Sequence, residues 1–153
     1  MNLKEYSSSH ILIIYKNKFL LQHRDNKKKI HFPNFWGLFG GKALIKETPK
    51  ECILREINEE INIRIKNVNF FINIKSSAKF LNPTRNINYF YVNIKEKTKK
   101  IKIFEGQGFR FFSFDQLSKI QINPFDYSAI SMFYYLKVLR KKIIPKKKFL
   151  KLK

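Results

Sequence analysis

Five of the 11 acidic residues in this chain fall within one stretch, Gly41 to Ile63, and three of the five are spaced for a helix. The stretch reads GKALIKETPKECILREINEEINI. Thr48 followed by Pro49 predicts a helix start, with Thr as N-cap and Pro in the first helical position. Glu51, three residues after Thr48, completes a capping box. The helix is expected from Pro49 to about Ile61. Ile53, Ile57 and Ile61 recur every four residues and, with Leu54, give it an apolar stripe for a core. Asn62 is expected to end it in the left-handed conformation, which Asn tolerates next best after Gly.

On such a helix Glu56, Glu59 and Glu60 share one face, because residues three and four apart are neighbours. Like charges at that spacing repel, so a helix built only for stability would avoid them. A bound Mg²⁺ or Mn²⁺ removes the repulsion, since these ions take oxygen ligands and keep positions for water and phosphate. Arg55 lies four residues from both Glu51 and Glu59 and is placed to pair with either.

The crowding of carboxylates runs against the rest of the chain. Its 32 Lys and Arg against 11 Asp and Glu give a formal net charge of +21. That charge suits a polyanion partner such as RNA. The lysines are scattered along the whole chain, though, and Lys, Asn, Ile and Phe are all abundant, which reads as composition before function. Nucleic acid is therefore admitted but not favoured. Hydrophobic residues at 44% exclude a disordered chain, and 153 residues suffice for one domain with its own core. A single cysteine, Cys52, excludes an intramolecular disulfide. No apolar run reaches membrane-span length, and the N-terminus lacks the pattern of a signal peptide. A soluble cytoplasmic protein without a membrane partner is expected.

In chain order, residues 1–9 read as a polar lead-in. Ile11–Tyr15 and Phe19–His23 form a hairpin around Lys16-Asn17-Lys18. The sequence HFPNFWGLFGG (31–41) is a loop entering a short strand, Trp36 to Phe39, that leaves through Gly40-Gly41. Beyond the helix, strands are expected within Ile63–Ile74, over Ile87–Ile94 and over Phe109–Phe114, with a charged turn at Lys95–Lys102. A short helix is expected at Asp115-Gln116-Leu117 and a last one from about Phe125 to Lys141. The boundaries drawn are a domain over 1–145 and a basic tail over 146–153. His10, His23 and His31 form no metal signature. Phe32, Phe35 and Tyr89 are available to stack on a base.

Gly41, Glu47, Arg55-Glu56-Ile57, Glu59-Glu60 and Ile63, at these spacings, resemble the Nudix box, Gly-x5-Glu-x7-Arg-Glu-U-x-Glu-Glu-x-Gly-U, where U is a bulky aliphatic. Eight of nine specified positions match, and Asn62 stands in place of the second Gly. The strand WGLFGG is similar to the one that precedes the box in this family, with Phe39 where Pro is frequent. Leu44 and Lys46 depart from the family's usual Glu and Gly.

The resemblance implies an α+β Nudix fold, a mixed β-sheet sandwiched between helices. It implies a Mg²⁺-dependent pyrophosphohydrolase, with Mn²⁺ as substitute, that cleaves the diphosphate of a nucleoside triphosphate or nucleotide sugar. Glu56, Glu59, Glu60 and the Gly40 carbonyl are the implied metal ligands. Glu47 and Arg55 support the cluster, and Glu105, in a Phe-Glu-Gly-Gln-Gly loop, is a further ligand or base. The expected catalytic set is thus Glu47, Arg55, Glu56, Glu59, Glu60 and Glu105, with Arg24, Gly40 and Gly41 binding substrate. Two alternatives stand beside it: a pyrophosphohydrolase of RNA 5′ ends or dinucleoside polyphosphates, and a nucleotide-binding module without catalysis. The oligomeric state is left open, a homodimer included.

Overall fold

Along the first strand, β1 (Tyr6–Tyr15), apolar residues alternate between two faces, and both faces are covered. Ile11 and Ile13 join one core cluster, Leu12 and Ile14 the other, and all four are buried. The computed structural model describes residues 6–76, 85–95 and 101–139. The further strands are β2 (Lys18–His23), β3 (Trp36–Gly37), β4 (Phe39–Lys42), β5 (Asn69–Ser76), β6 (Arg85–Asn93) and β7 (Gly108–Phe112). The helices are α1 (Pro49–Glu60), α2 (Phe114–Leu117) and α3 (Pro124–Phe133), the last continuing as a π-helical segment, Tyr134–Leu139.

All seven strands belong to one mixed sheet. β6 runs parallel to β1 along most of its length, and β5 pairs antiparallel outside it. The other edge of β1 is divided. Ile13–Tyr15 pair with β2, and Ser8–Ile11 pair with β4. β2 in turn pairs with β3 at Gln22 and His23, and with β7 on its other side. β1 and β2 therefore splay like a fork, and the segment 36–42 fills the opening. The single strand expected over Trp36–Phe39 is in fact two, which change partner at Leu38.

α1 lies on one face of the sheet, with Ile53, Ile57 and Ile61 buried against Ile11, Ile13, Leu20, Phe39 and Phe90. Each such side chain contributes on the order of 1.5–3 kcal/mol. α3 covers the other face through Ala129, Ile130 and Phe133. This is the α+β sandwich expected. Among the described residues no helix is long and apolar enough to cross a membrane.

Several boundaries differ from expectation. β1 starts at Tyr6, inside the supposed lead-in. Ser8 and Ser9 are buried there because small side chains fit where β1 is paired on both edges. β5 begins at Asn69, not Ile63. α3 gives way to the π-helical segment after Phe133, and residues 140–153, which include the basic tail, lie outside the described residues.

Asn62 is not left-handed. α1 ends with Ile61 in extended conformation (φ −149°, ψ 144°), and Ile61 bridges Ile103. Asn62 N–H donates to the Lys102 carbonyl at 3.1 Å, and its Oδ1 accepts from Lys102 N–H at 2.7 Å. Tertiary pairing at the helix end has replaced a local cap.

Candidate active site

α1 starts as the sequence demands. Glu51 N–H donates to Thr48 Oγ1 at 3.2 Å, and Thr48 N–H donates to Glu51 Oε2 at 2.9 Å. Glu51 is thereby committed to the cap and does not meet Arg55. Arg55 instead gathers three other carboxylates. Its Nε donates to Glu47 Oε1 at 2.7 Å, and its Nη1 to Glu56 Oε1 at 2.8 Å and Glu59 Oε2 at 3.0 Å. Nη2 reaches Glu47 Oε2 and the Lys42 carbonyl, each at 3.0 Å. The loop before α1 is thus clamped to the helix by one guanidinium, whose planar fork suits several acceptors at once. Arg55, with Leu44 N–H, holds the Glu47 carboxyl down at about 2.

The fork in the sheet positions the other wall. At Leu38, where the strand changes partner, both main-chain groups are taken by side chains. Leu38 N–H donates to Asp126 Oδ2 at 2.9 Å, and its carbonyl accepts from Gln22 Nε2 at 3.4 Å. Two residues on, Gly40 has φ +133°, and a Cβ there would lie 2.1 Å from the Ser9 carbonyl oxygen. Only glycine fits. Gly40 N–H donates to Glu60 Oε2 at 2.7 Å, and Gln22 Nε2 donates to Glu60 Oε1 at 3.3 Å. At Gly41 a Cβ would come within 2.5 Å of Glu56 Oε1, so the missing side chain is the space the carboxylate occupies.

Glu60 is buried, and desolvation pushes its carboxyl up to about 8 in spite of those two hydrogen bonds, with Glu56 and Glu105 adding to the rise. Glu56 is also raised, first by burial, with Glu59 and Glu105 working in the same direction and Arg55 against it. Among the described residues Glu60 is held by the neutral donors Gly40 N–H and Gln22 Nε2, while Glu56 is raised in spite of its contact with Arg55.

Glu56, Glu60 and Glu105 line one cleft of about 260 Å³ together with Arg24, Lys27 and Lys42. Glu105 arrives there because its loop is docked on the end of α1: Phe104 N–H donates to the Glu60 carbonyl at 2.9 Å, beside the Asn62–Lys102 pair. Arg24 is set by its backbone, whose N–H donates to Phe35 O at 2.9 Å and whose carbonyl accepts from Gln107 Nε2 at 2.7 Å. Gly40 and Gly41 border the same cleft. Of the residues expected at the site, Arg24, Gly40, Gly41, Glu56, Glu60 and Glu105 line this cleft, while Glu47 and Glu59 are joined to Glu56 through Arg55. Glu59 is the most exposed of the Arg55 partners.

Among the described residues no three acidic, histidine or cysteine side chains converge closely enough to hold an ion as they stand. Arg55 spans Glu56 and Glu59, while Glu60 is turned onto Gly40 and Gln22. The donor set still fits a hard divalent cation. It offers oxygen alone, it includes a carboxylate seated in the space left by Gly41, and burial and like charge both penalise its ionised form in the absence of a cation.

Tyr89 does not face a ligand. It is fully buried, and its hydroxyl donates to Asp126 Oδ1 at 3.1 Å. Gln22, Asp126 and Asn123 were not singled out from the sequence. Gln22 and Asp126 carried one signal: each is a lone polar residue on the apolar face of its element.

Beside the cleft, and sharing Arg24, Gly40 and Gly41 with it, is a second pocket of about 70 Å³. His10, His31, Phe32, Arg85, Asn123 and Phe125 complete most of its wall.

The mixed sheet between helices, with a carboxylate-bearing helix beside a glycine-rich strand, is the fold of a known family. The sequence model of the NUDIX domain matches residues 6–133. The chain belongs to the Nudix family. No curated protein sequence matches it. Among solved structures, the MutT protein from Methanosarcina mazei Go1 is 18% identical, with 88% of this chain and 96% of that chain covered, at a TM-score of 0.73. A bifunctional NMN adenylyltransferase/ADP ribose pyrophosphatase from Francisella tularensis, complexed with AMP and a Mn ion, is 15% identical, covering 86% of this chain and 41% of that chain at 0.69. The Escherichia coli dihydroneopterin triphosphate pyrophosphohydrolase is 15% identical, covering 83% and 93% at 0.65. At these identities the likeness is one of fold.

Proposed function

We propose that this chain is a Mg²⁺-dependent pyrophosphohydrolase of a nucleoside diphosphate derivative, a nucleoside triphosphate or a nucleotide sugar. The observation that carries this reading is the joint lining of one cleft by the carboxylates of Glu56, Glu60 and Glu105 and by Arg24, Lys27 and Lys42. Glu56 and Glu60, both raised by burial, attract a divalent cation, and the cationic side chains of the same cleft attract phosphate.

In this reading Glu56, Glu59, Glu60 and the Gly40 carbonyl hold Mg²⁺ or Mn²⁺. When bound, the ion neutralises phosphoryl charge and lowers the pKa of a coordinated water. Arg55 and Glu47 keep the carboxylates oriented while the cleft is empty of metal. Arg24 faces the phosphates. Glu105, on a loop pinned to α1, lines the same cleft as Glu56 and Glu60 as a further ligand or the base. The Francisella neighbour, which binds AMP and Mn, supports a nucleotide substrate and a divalent ion. A second reading, hydrolysis at RNA 5′ ends, is favoured by the net charge of +21.

A screen of nucleoside triphosphates, nucleotide sugars and 5′-triphosphorylated RNA, with Mg²⁺ or with EDTA, tests both. Metal-dependent release of phosphate or pyrophosphate is expected. No turnover on any of them would leave the non-catalytic binding module as the better account. If RNA is the substrate, turnover falls steeply with added salt, whereas turnover of a free nucleotide changes little.

A further inference from the structure

The small pocket beside the cleft is built for an anion. Arg24 and Arg85 enter it from different strands' ends, and among the described residues that line it there is no carboxylate. Arg24 Nε is buried and makes no hydrogen bond among the described residues. The Arg24 side chain is held instead by packing, its Cδ and Cγ running past Gly37, where a Cβ would touch both. Arg85 lies with its guanidinium carbon 6.0 Å from the centre of the Phe125 ring, at the outer limit of a cation–π contact. His10 and His31 also line it, and a neutral imidazole brings one N–H donor. Burial holds both imidazoles below their ordinary range, and both guanidiniums push in that direction on each of them. Asp126 works against this only at His10, from behind, 3.8 Å from Nδ1 and with its own oxygens committed to Tyr89 and Leu38. Asn123 uses its Oδ1 to cap α3 by accepting from Phe125 N–H at 3.0 Å, which leaves its NH₂ as a donor.

Size and strain point the same way. At roughly 10–15 Å³ for each water-sized group, about 70 Å³ accommodates a group of about five to seven heavy atoms. That is the size of a phosphate; a purine is larger. Phe32, on the rim, sits at φ +54°, a left-handed conformation that costs a bulky residue of the order of 1–3 kcal/mol and that recurs at ligand clamps.

We propose that this pocket binds a second phosphate of the substrate, one carried on the group attached to the diphosphate that is cleaved. The proposal rests on the hydrolase reading for its place in a reaction but not for the binding itself. Arg24, which borders both cavities, links the two phosphate positions. The second phosphate is either a terminal monoester on a sugar or the first phosphodiester of an RNA chain; both present the same oxygens to the two guanidiniums.

The test compares adenosine 5′-triphosphate, the same nucleotide with a 3′-phosphate, and the 5′-triphosphorylated dinucleotide pppApA. Affinity is read by calorimetry in Ca²⁺ and kcat/KM in Mg²⁺, for the full chain. A gain of at least tenfold in affinity is expected from the 3′-phosphate or the phosphodiester, and whichever group gives it names the source. Arg85→Gln should bring the ratio to the plain triphosphate close to one, and Arg85→Lys should restore part of it. Equal affinity for all three ligands in the wild-type protein, a comparison that needs no variant, would overturn the proposal. So would an Arg85→Gln variant, folded by its thermal melt, that weakens all three ligands equally. A binding gain without hydrolysis of any of them would sink the hydrolase reading and leave the phosphate pocket standing.

Discussion

Gly40 N–H donates to Glu60 Oε2 at 2.7 Å, and this one bond joins β4 to the last turn of α1. The strand and the helix end are thereby held as one unit, and the glycine that makes the bond cannot be anything else. A Cβ at residue 40 would meet the Ser9 carbonyl, which is backbone inside a paired strand and cannot move aside. Gly40→Ala is therefore expected to destabilise the protein by at least about 1–3 kcal/mol from backbone strain, with the clash in addition. Denaturant unfolding measures it, and a change within about 0.5 kcal/mol, typical of a neutral surface site, would contradict the geometry.

Asn62 offers a milder test. Its side chain accepts from Lys102 N–H at 2.7 Å, a bond that glycine at this position could not make. Asn62→Gly should cost about 1–2 kcal/mol, from one hydrogen bond and added chain entropy. It should also speed hydrogen exchange at the Lys102 and Phe104 amides, since both are anchored to the end of α1. Unchanged exchange at these amides would mean that the loop bearing Glu105 is held by something else.

The clamp made by Arg55 is visible as a titration. Glu47, held at about 2 by the guanidinium and by Leu44 N–H, contributes stability that is present above the ordinary carboxylate range and lost as pH falls toward that value. Arg55→Lys replaces a planar fork with a single ammonium that cannot bond Glu47, Glu56 and Glu59 together. Carboxyl chemical shifts should then show Glu47 titrating closer to the ordinary range. A Glu47 carboxyl that still titrates near its original position in the variant would remove Arg55 as the cause.

Glu60 gives the opposite pH dependence. Its carboxyl is raised from 4.5 to about 8 in the folded chain. Between those values the folded state holds a proton that the unfolded state has released, so stability falls as pH rises. Buried His10, with its lowered pKa, acts the other way, but only below its ordinary value of 6.5. Between about pH 6.5 and 8 the metal-free protein should therefore lose stability with a slope approaching about 1.4 kcal/mol per pH unit. Unfolding in EDTA across this window checks it. Glu60→Gln should flatten the profile, and a profile equally steep in that variant would assign the effect to another group.

Glu56→Gln keeps the shape that fills the space beside Gly41 but removes the charge. A loss of metal-dependent turnover of about 10²-fold or more is expected, comparable to removing one electrostatic group from other active sites, with the thermal melt close to wild type. Gly41→Ala should displace the same carboxylate, since its Cβ would lie 2.5 Å from Glu56 Oε1. Because the displaced atoms end a flexible side chain, activity should suffer more than stability. Near-full activity in Glu56→Gln would refute its role at the metal.

The sequence by itself determined α1: its start at Thr48, its isoleucine stripe and its face of glutamates follow from spacing along one chain, because a helix places residues three and four apart side by side whatever surrounds them. The hairpin of β1 and β2 and the membership of the Nudix family were legible for the same reason, as local patterns. The fork between β1 and β2, the change of partner at Leu38 and the commitment of Asp126 to that amide were decided only in three dimensions, 88 residues apart in sequence for that bond. The extended end of α1 was decided there too: Asn62 has a local preference for a cap, and pairing with Lys102 overrode it. Of the pocket's two arginines, Arg24 and Arg85, the sequence pointed only to Arg24; Arg85 differs in nothing local from other arginines of this basic chain. Their convergence comes from strand order in the sheet, which brings the end of β2 and the start of β6 to one pocket.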